Sequence, residues 1–139
     1  MNKNIKDWQL TVGLEVHIQL STKSKMFCKC PSIYGASPNS LICPVCLGLP
    51  GALPSINEEA INMAIKLGHA LNFKINQNTE FSRKNYYYPD LPKGYQITQF
   101  DKPICEKGSI QIKKDGKLHT VGITRAHLEE DSGKLIHHS

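Results

Sequence analysis

The chain has 139 residues, a formal net charge of +5, 40% hydrophobic residues and 21% charged residues. This length fits about one domain, and the composition excludes a disordered or fibrous protein. No apolar run of about 18 residues is present, and the first residues lack the apolar core of a secretory signal. We therefore expect a cytoplasmic protein, or an organellar one whose targeting segment is absent. The basic excess permits RNA as a partner, but a lysine-rich solvated surface explains it equally well.

Residues 10–20 alternate strictly between apolar and polar side chains, which predicts a β-strand with one face in the core. The apolar face comprises Leu10, Val12, Leu14, Val16, Ile18 and Leu20. Glu15 and His17 leave the polar face together. Such a pair can share a divalent ion, can hydrogen bond to each other, or can belong to a solvated surface.

Residues 21–54 are predicted to be irregular, because their many prolines exclude a long helix. Two close pairs of thiols lie in this region: Cys28, Cys30, Cys43 and Cys46. Four thiolates suit a tetrahedral zinc ion, and they leave no open position, so the zinc would be structural. It would also hold a long loop in place. The alternative is four buried or redox-active thiols, and Cys105 is expected to be an ordinary thiol.

Residues 55–72 are predicted to form the main helix. Ser55 and Glu58 have the spacing of a capping box, and Asn72 is a plausible end. The predicted buried face comprises Ile56, Ala60, Met63, Ala64, Leu67 and Leu71.

A strand at 95–100 and a hairpin follow the helix. The hairpin strands, 109–113 and 117–127, flank Asp115 and Gly116, which are typical of a two-residue turn. The predicted fold class is α+β, a single domain of mostly antiparallel sheet with one packed helix and a zinc-stapled, proline-rich loop.

The end of the hairpin carries Arg125, His127, Glu129, Glu130 and Asp131. Strand alternation would place Glu130 on the face opposite Arg125, His127 and Glu129. Adjacent acids repel each other unless a cation compensates, and carboxylates with few histidines suit Mg²⁺ or Mn²⁺. The alternative is an exposed acidic strand end.

Residues 83–96 combine basic and aromatic side chains with a glycine that allows close approach of the backbone, Gly94. Such a segment suits a phosphate-bearing ligand with a base that can stack, such as ATP or the end of a tRNA. The alternative is a surface loop whose tyrosines lie on the core.

Taken together, these segments closely resemble the B subunit of aspartyl/glutamyl-tRNA(Asn/Gln) amidotransferase. The matching residues are 12–20, 28–46, 47–54, 83–97 and 125–134. The resemblance implies a subunit that uses ATP and Mg²⁺ to phosphorylate the side-chain carboxylate of mischarged Glu-tRNA(Gln) or Asp-tRNA(Asn). Ammonia released from glutamine by an amidase A subunit would displace the phosphate, and a small C subunit would complete the heterotrimer.

The same resemblance suggests roles for individual residues. It assigns the catalytic Mg²⁺ to Glu15, His17, Glu129 and Glu130, and a structural Zn²⁺ to the four paired cysteines. Lys84 and Lys93 are predicted to contact phosphate as catalytic and ATP-binding residues. Asp90 is predicted to be catalytic, and Tyr86 and Tyr87 to bind the nucleotide or position the substrate.

Members of this family are several times longer than this chain. We therefore expect residues 1–139 to be the amino-terminal portion of the catalytic cradle domain, lacking the helical and tail domains and inactive alone. Its setting would be the bacterial cytoplasm or an organelle, with no membrane partner. The competing hypotheses are a non-catalytic, zinc-stabilised module that binds tRNA or partner subunits, and a non-functional remnant of the gene.

Overall fold

Two antiparallel sheets and one main helix make up residues 8–132, the part of the chain that this computed structural model describes. The elements are α1 (Pro44–Leu47), α2 (Glu58–Ala70), β1 (Lys74–Ile75), β2 (Ser82–Asn85), β3 (Tyr95–Thr98), β4 (Cys105–Lys114) and β5 (Lys117–Ala126). The predicted α+β class is confirmed. Residues 1–7 and the end of the matching segment, 133–134, lie outside the described range. Neither helix within 8–132 is long and apolar enough to cross a membrane.

The larger sheet has the strand order β1–β4–β5. Its hairpin is confirmed, because Asp115 and Gly116 both adopt positive φ, 52° and 75°, as a tight two-residue turn requires. β4 begins earlier than predicted, at Cys105, where it pairs with Ile75 of β1. The smaller sheet joins β3, which was predicted, to β2, which was not. The residues of β2 are all exposed and polar, so no hydrophobic alternation marks them as a strand.

Helix α2 begins after Asn57, so the predicted cap at Ser55 is wrong. The Asn57 side chain accepts a hydrogen bond from the N–H of Glu59 at 3.0 Å. Before that point the chain is held extended, because the N–H groups of Ser55 and Asn57 donate to the carbonyls of Phe27 and Met26. This tertiary pairing delays the start of the helix and overrides the local capping signal.

The buried face of α2 consists of small residues, Ala60, Ala64 and Gly68, which let the sheet approach closely. Ile56 precedes the helix and is exposed, contrary to the prediction. The helix ends where expected, with Asn72 in the left-handed region at φ 54°. The core beside this face comprises Ala64, Phe73, Ile104, Cys105 and Leu128.

The strand predicted over residues 10–20 is wrong for this structure. No strand forms between residues 8 and 20, and the apolar side chains Leu10, Leu14 and Val16 are 88%, 89% and 85% exposed. Only Leu20, at the end of the segment, packs against the core. Alternation identifies two faces, but a strand also needs a neighbour for its backbone hydrogen bonds. No strand within residues 8–132 pairs with this segment.

One buried amide connects the elements that carry the acidic residues. Gln99 is 2% exposed, and its Oε1 accepts the N–H groups of Ile104 and Leu128, each at 3.1 Å. Its Nε2 donates to the hydroxyl of Thr79. A single side chain thus joins the end of β3, the approach to β4 and the segment after β5.

Replacing Gln99 with leucine should lower the free energy of unfolding by about 2–5 kcal/mol, because it leaves buried N–H groups without an acceptor. Gln111, on the exposed part of β4, provides a matched control. We expect Gln111→Leu to change stability by less than about 0.5 kcal/mol. Urea denaturation measures both variants, and equal losses would contradict the role of Gln99.

Candidate functional site

Four cysteines from two separate stretches meet at one point. The Sγ of Cys46 lies 3.6 Å from that of Cys28, 3.8 Å from that of Cys43 and 4.0 Å from that of Cys30. All four sulfur atoms lie within 4.8 Å of one another. A tetrahedral zinc ion with Zn–S bonds of about 2.3 Å requires sulfur–sulfur distances of about 3.8 Å. The cluster therefore has the dimensions and the donor atoms of a four-thiolate metal site.

The pKa values of these thiols are shifted in different directions by backbone hydrogen bonds and by burial. Hydrogen bonds from the backbone of Cys46 and Val45 lower the pKa of Cys43 to about 7. Burial raises the pKa of Cys28 to about 12, and burial also raises the pKa of Cys30. Helix α1 supplies this arrangement, because its first turn follows Cys43 directly and contains Cys46.

A lysine that the sequence pattern did not single out lies against the cysteine cluster. The Nζ of Lys25 is 3.5 Å from the Sγ of Cys46 and donates to the carbonyl of Leu41 at 2.7 Å. Four thiolates around a divalent ion carry a net charge of −2, which a nearby ammonium partly offsets. Lys29, between the two cysteines of the first pair, is exposed instead.

The second cluster surrounds the carboxylate of Glu129. The Nδ1 of His17 is 3.5 Å from its Oε1, and the Nε2 of His127 is 3.4 Å from its Oε2. Glu15 lies 4.0 Å from the other nitrogen of His17. The structure thus brings together three residues predicted for Mg²⁺, and it places His127 beside Glu129, as the alternation of this segment predicts.

Glu130 points away from this cluster. Its Oε1 is 2.5 Å from the Nζ of Lys93, and its Oε2 accepts the N–H of Ile97 at 3.3 Å. Backbone bonds fix the same residue, because its N–H donates to the carbonyl of Ile97 at 2.8 Å and its own carbonyl accepts from the Gln96 amide at 2.6 Å. The Lys93 side chain is 3% exposed, so in this structure it faces a carboxylate rather than solvent.

The opposite orientations of Glu129 and Glu130 follow the expected alternation, although β5 ends at Ala126. Arg125 does not join His127 and Glu129. Its guanidinium donates instead to the carbonyl of Phe100 at 3.0 Å. The acidic residues therefore lie on an extended segment beyond the strand, held beside β3.

The loop between β2 and β3 completes the site. Burial, reinforced by the negative charges of Asp90, Glu129 and Glu130, raises the pKa of Tyr86. The Oδ1 of Asp90 is buried and has no hydrogen-bond partner among residues 8–132, which is uncommon for a buried polar atom.

Two of the four side chains predicted to bind the nucleotide are exposed, Lys84 on β2 and Tyr87 on the loop that follows it. Lys84 is exposed, with its Nζ 5.8 Å from the centre of the Tyr86 ring. The Tyr87 side chain is 90% exposed and borders a shallow surface depression of about 350 Å³. Both are free to contact a ligand, whereas Lys93 is engaged.

The two clusters differ in what they can hold. Within residues 8–132, only the cysteines bring at least three candidate metal-ligand atoms within 4.8 Å of one another. Glu15, His17 and Glu129 form a looser set of two carboxylates and one imidazole. Such a set fits Mg²⁺, which keeps several waters and takes further oxygens from phosphates.

Residues 10–139 match the GatB/GatE catalytic domain. The chain belongs to this family. The B subunit of aspartyl/glutamyl-tRNA(Asn/Gln) amidotransferase from Helicobacter hepaticus is 58% identical over 130 residues, which cover 94% of this chain and 27% of that protein. The Campylobacter jejuni subsp. jejuni protein of the same name is 58% identical over 132 residues, 95% of this chain and 28% of its own length.

An organellar relative shows similar agreement. The B subunit of the chloroplastic/mitochondrial glutamyl-tRNA(Gln) amidotransferase from Ricinus communis is 55% identical over 141 residues, 99% of this chain and 26% of that protein. The chain thus spans about a quarter of the length of these relatives. The resemblance to the amidotransferase family is confirmed, and relatives occur in bacteria and in plant organelles.

The unequal thiols predict an order of alkylation once a chelator has removed any bound metal. Near pH 7 about half of Cys43 should be thiolate, whereas Cys28 should be almost entirely protonated. Cys43 should therefore react with iodoacetamide faster than Cys28, and its rate should fall as the pH is lowered below 7. Mass spectrometry of alkylated peptides measures this order. Equal rates for both residues at pH 7 would contradict it.

Proposed function

We propose that this chain is the amino-terminal part of the catalytic domain in the B subunit of a tRNA-dependent amidotransferase. The main support is the match over residues 10–139 to the GatB/GatE catalytic domain. The substrate would be mischarged Glu-tRNA(Gln) or Asp-tRNA(Asn), whose side-chain carboxylate is activated by ATP-dependent phosphorylation and then amidated by ammonia derived from glutamine. The partners would be an amidase A subunit and a small C subunit.

The chemistry asks the protein mainly to position reactants and to neutralise charge. A carboxylate is a poor acyl donor until phosphorylation gives it a leaving group, and aligning it with ATP accounts for much of such catalysis. Glu15, His17 and Glu129 are the proposed Mg²⁺ ligands, and Glu130, also predicted as a ligand, would join them only by leaving Lys93. When bound there, Mg²⁺ would offset the charge of phosphate oxygens.

Lys84 of β2 and the residues of the following loop then have distinct tasks. The exposed ammonium of Lys84 contacts phosphate, and the exposed ring of Tyr87 offers a surface on which a base can stack. Tyr86 and Asp90, whose charge acts on the Tyr86 hydroxyl together with that of Glu129, position the substrate beside Glu129. Lys93 reaches a phosphate only by giving up its ion pair with Glu130.

The four paired cysteines hold a structural Zn²⁺. Their mutual distances and the absence of an open position in a four-thiolate shell support this proposal. The metal would close the proline-rich loop, and it takes no part in the reaction. A zinc-stabilised module that binds tRNA or partner subunits without chemistry is the alternative to the catalytic role.

Zinc analysis of the purified chain tests the metal proposal. We expect about one equivalent per chain. A lower zinc content, with all four thiols freely titratable, would contradict the proposal.

Lys25→Met should increase the rate at which a chelator removes zinc by about tenfold, because the positive charge of Lys25 offsets the thiolates. Lys29→Met makes the same change of charge at an exposed position and should leave the rate nearly unchanged.

A chimera tests the catalytic role. This chain replaces the corresponding amino-terminal region of the Helicobacter hepaticus relative, and Gln-tRNA(Gln) formation is measured with the A and C subunits present. The chimera should be active, and Glu129→Gln should lower its rate by about 100-fold through lost charge stabilisation. His119→Ala, on the exposed hairpin, should have little effect.

The isolated chain should show no ATP-dependent turnover of Glu-tRNA(Gln). Turnover by the purified 139-residue protein would contradict the proposed inactivity of the fragment. A chimera that forms no product, while retaining tRNA binding, would favour the non-catalytic module instead.

A further inference from the structure

We propose that Gly48, at the end of the cysteine loop, is a positioning residue that holds Lys93 against Glu130. The cysteine loop would then support the acidic segment as well as its own fold. This inference rests on the proposed function in one respect, which is that Glu130 belongs to the catalytic site. The contact itself stands on geometry alone.

Gly48 is rigidly tied to the cysteine cluster. It follows Cys46 and Leu47 directly and caps α1 in the left-handed conformation, with φ 64°. Its N–H donates to the carbonyls of Pro44 and Val45, the latter at 3.1 Å. Any constraint that fixes Cys43 and Cys46 therefore also fixes the position of Gly48.

Gly48 also lies directly against Lys93. A Cβ added at Gly48 would be 2.6 Å from the Cβ of Lys93 and 3.6 Å from its Cα, so a larger residue would force Lys93 to move. Gly51 provides a control that distinguishes the effect of this contact from the effect of a positive φ. It has a similar φ of 80°, yet an added Cβ there would meet nothing within 4 Å.

Lys93 has little freedom on its other sides. Its side chain is 3% exposed, and its Nζ lies 2.5 Å from Glu130 and 4.9 Å from the centre of the Tyr95 ring. A buried ammonium that loses its carboxylate partner is strongly destabilised. Gly48 forms one wall of this enclosure, so displacing that wall should open the ion pair or expose the lysine.

The consequence is a physical link between the two clusters. It runs from the cysteine cluster through α1 and Gly48 to Lys93, and from Lys93 to Glu130, which is bonded to β3 through Ile97. Loosening the cysteine cluster should therefore increase the accessibility of Lys93, although no cysteine contributes to the acidic site.

The test measures the accessibility of Lys93 in the full 139-residue chain by acetylation at fixed pH, followed by mass spectrometry. Lys102, whose ion pair with Glu80 lies outside the cysteine loop, is the internal reference. We expect Gly48→Ala to raise acetylation of Lys93 by about tenfold relative to Lys102, because the buried pair is disrupted. Gly51→Ala should leave it within about twofold, since it imposes a similar backbone strain without the contact.

Equal labelling of Lys93 in the two glycine variants would overturn the proposal. If Gly48→Ala does not fold, the measurement on the unmodified chain after metal removal, described next, decides the proposal. Zinc content and chimera activity are measured separately. The acetylation of Lys93 in the two glycine variants can therefore be compared even if the zinc proposal or the catalytic proposal fails.

A second readout uses the unmodified chain. Removing the metal with a chelator should raise acetylation of Lys93 several-fold relative to Lys102. Unchanged labelling, with the loss of one metal equivalent verified, would show that the cysteine loop does not position Lys93 and would also overturn the proposal.

Discussion

The buried ion pair between Lys93 and Glu130 is the interaction on which the acidic site depends. It joins two segments far apart in sequence at 2.5 Å, and it turns Glu130 away from Glu129. Glu129 is thereby left between two imidazoles, with both oxygens accessible to their nitrogens. Because the buried ammonium of Lys93 needs a partner, the neighbouring acids take different roles: Glu130 pairs with the lysine, and Glu129 faces the histidines.

Much of this arrangement could be predicted from the sequence where the signal is local. Asp115 and Gly116 specified the hairpin because few residue pairs accept two successive positive φ angles. The cysteine spacing predicted a cluster because two short-range pairs need only one loop closure to meet. Helix α2 was also predictable, since its apolar periodicity exceeds what a loop would show.

The remaining features depend on tertiary contacts that no local pattern records. Ser55 has a good capping sequence, but the carbonyl of Phe27 captures its N–H and keeps the chain extended. Strand β2 is specified by its pairing with β3 rather than by hydrophobicity. In the site, alternation anticipated the divergence of Glu129 and Glu130, whereas the burial of Lys93 depends on Gly48 and Tyr95 packing around it.

The exposed side chains of residues 10–18 affect how the chain behaves in solution. Leu10, Leu14 and Val16 present a wide apolar ribbon, on a backbone that no strand within residues 8–132 pairs. Alternating segments of this kind readily add to the open edges of other sheets. Self-association through this ribbon would be opposed by the net charge of +5.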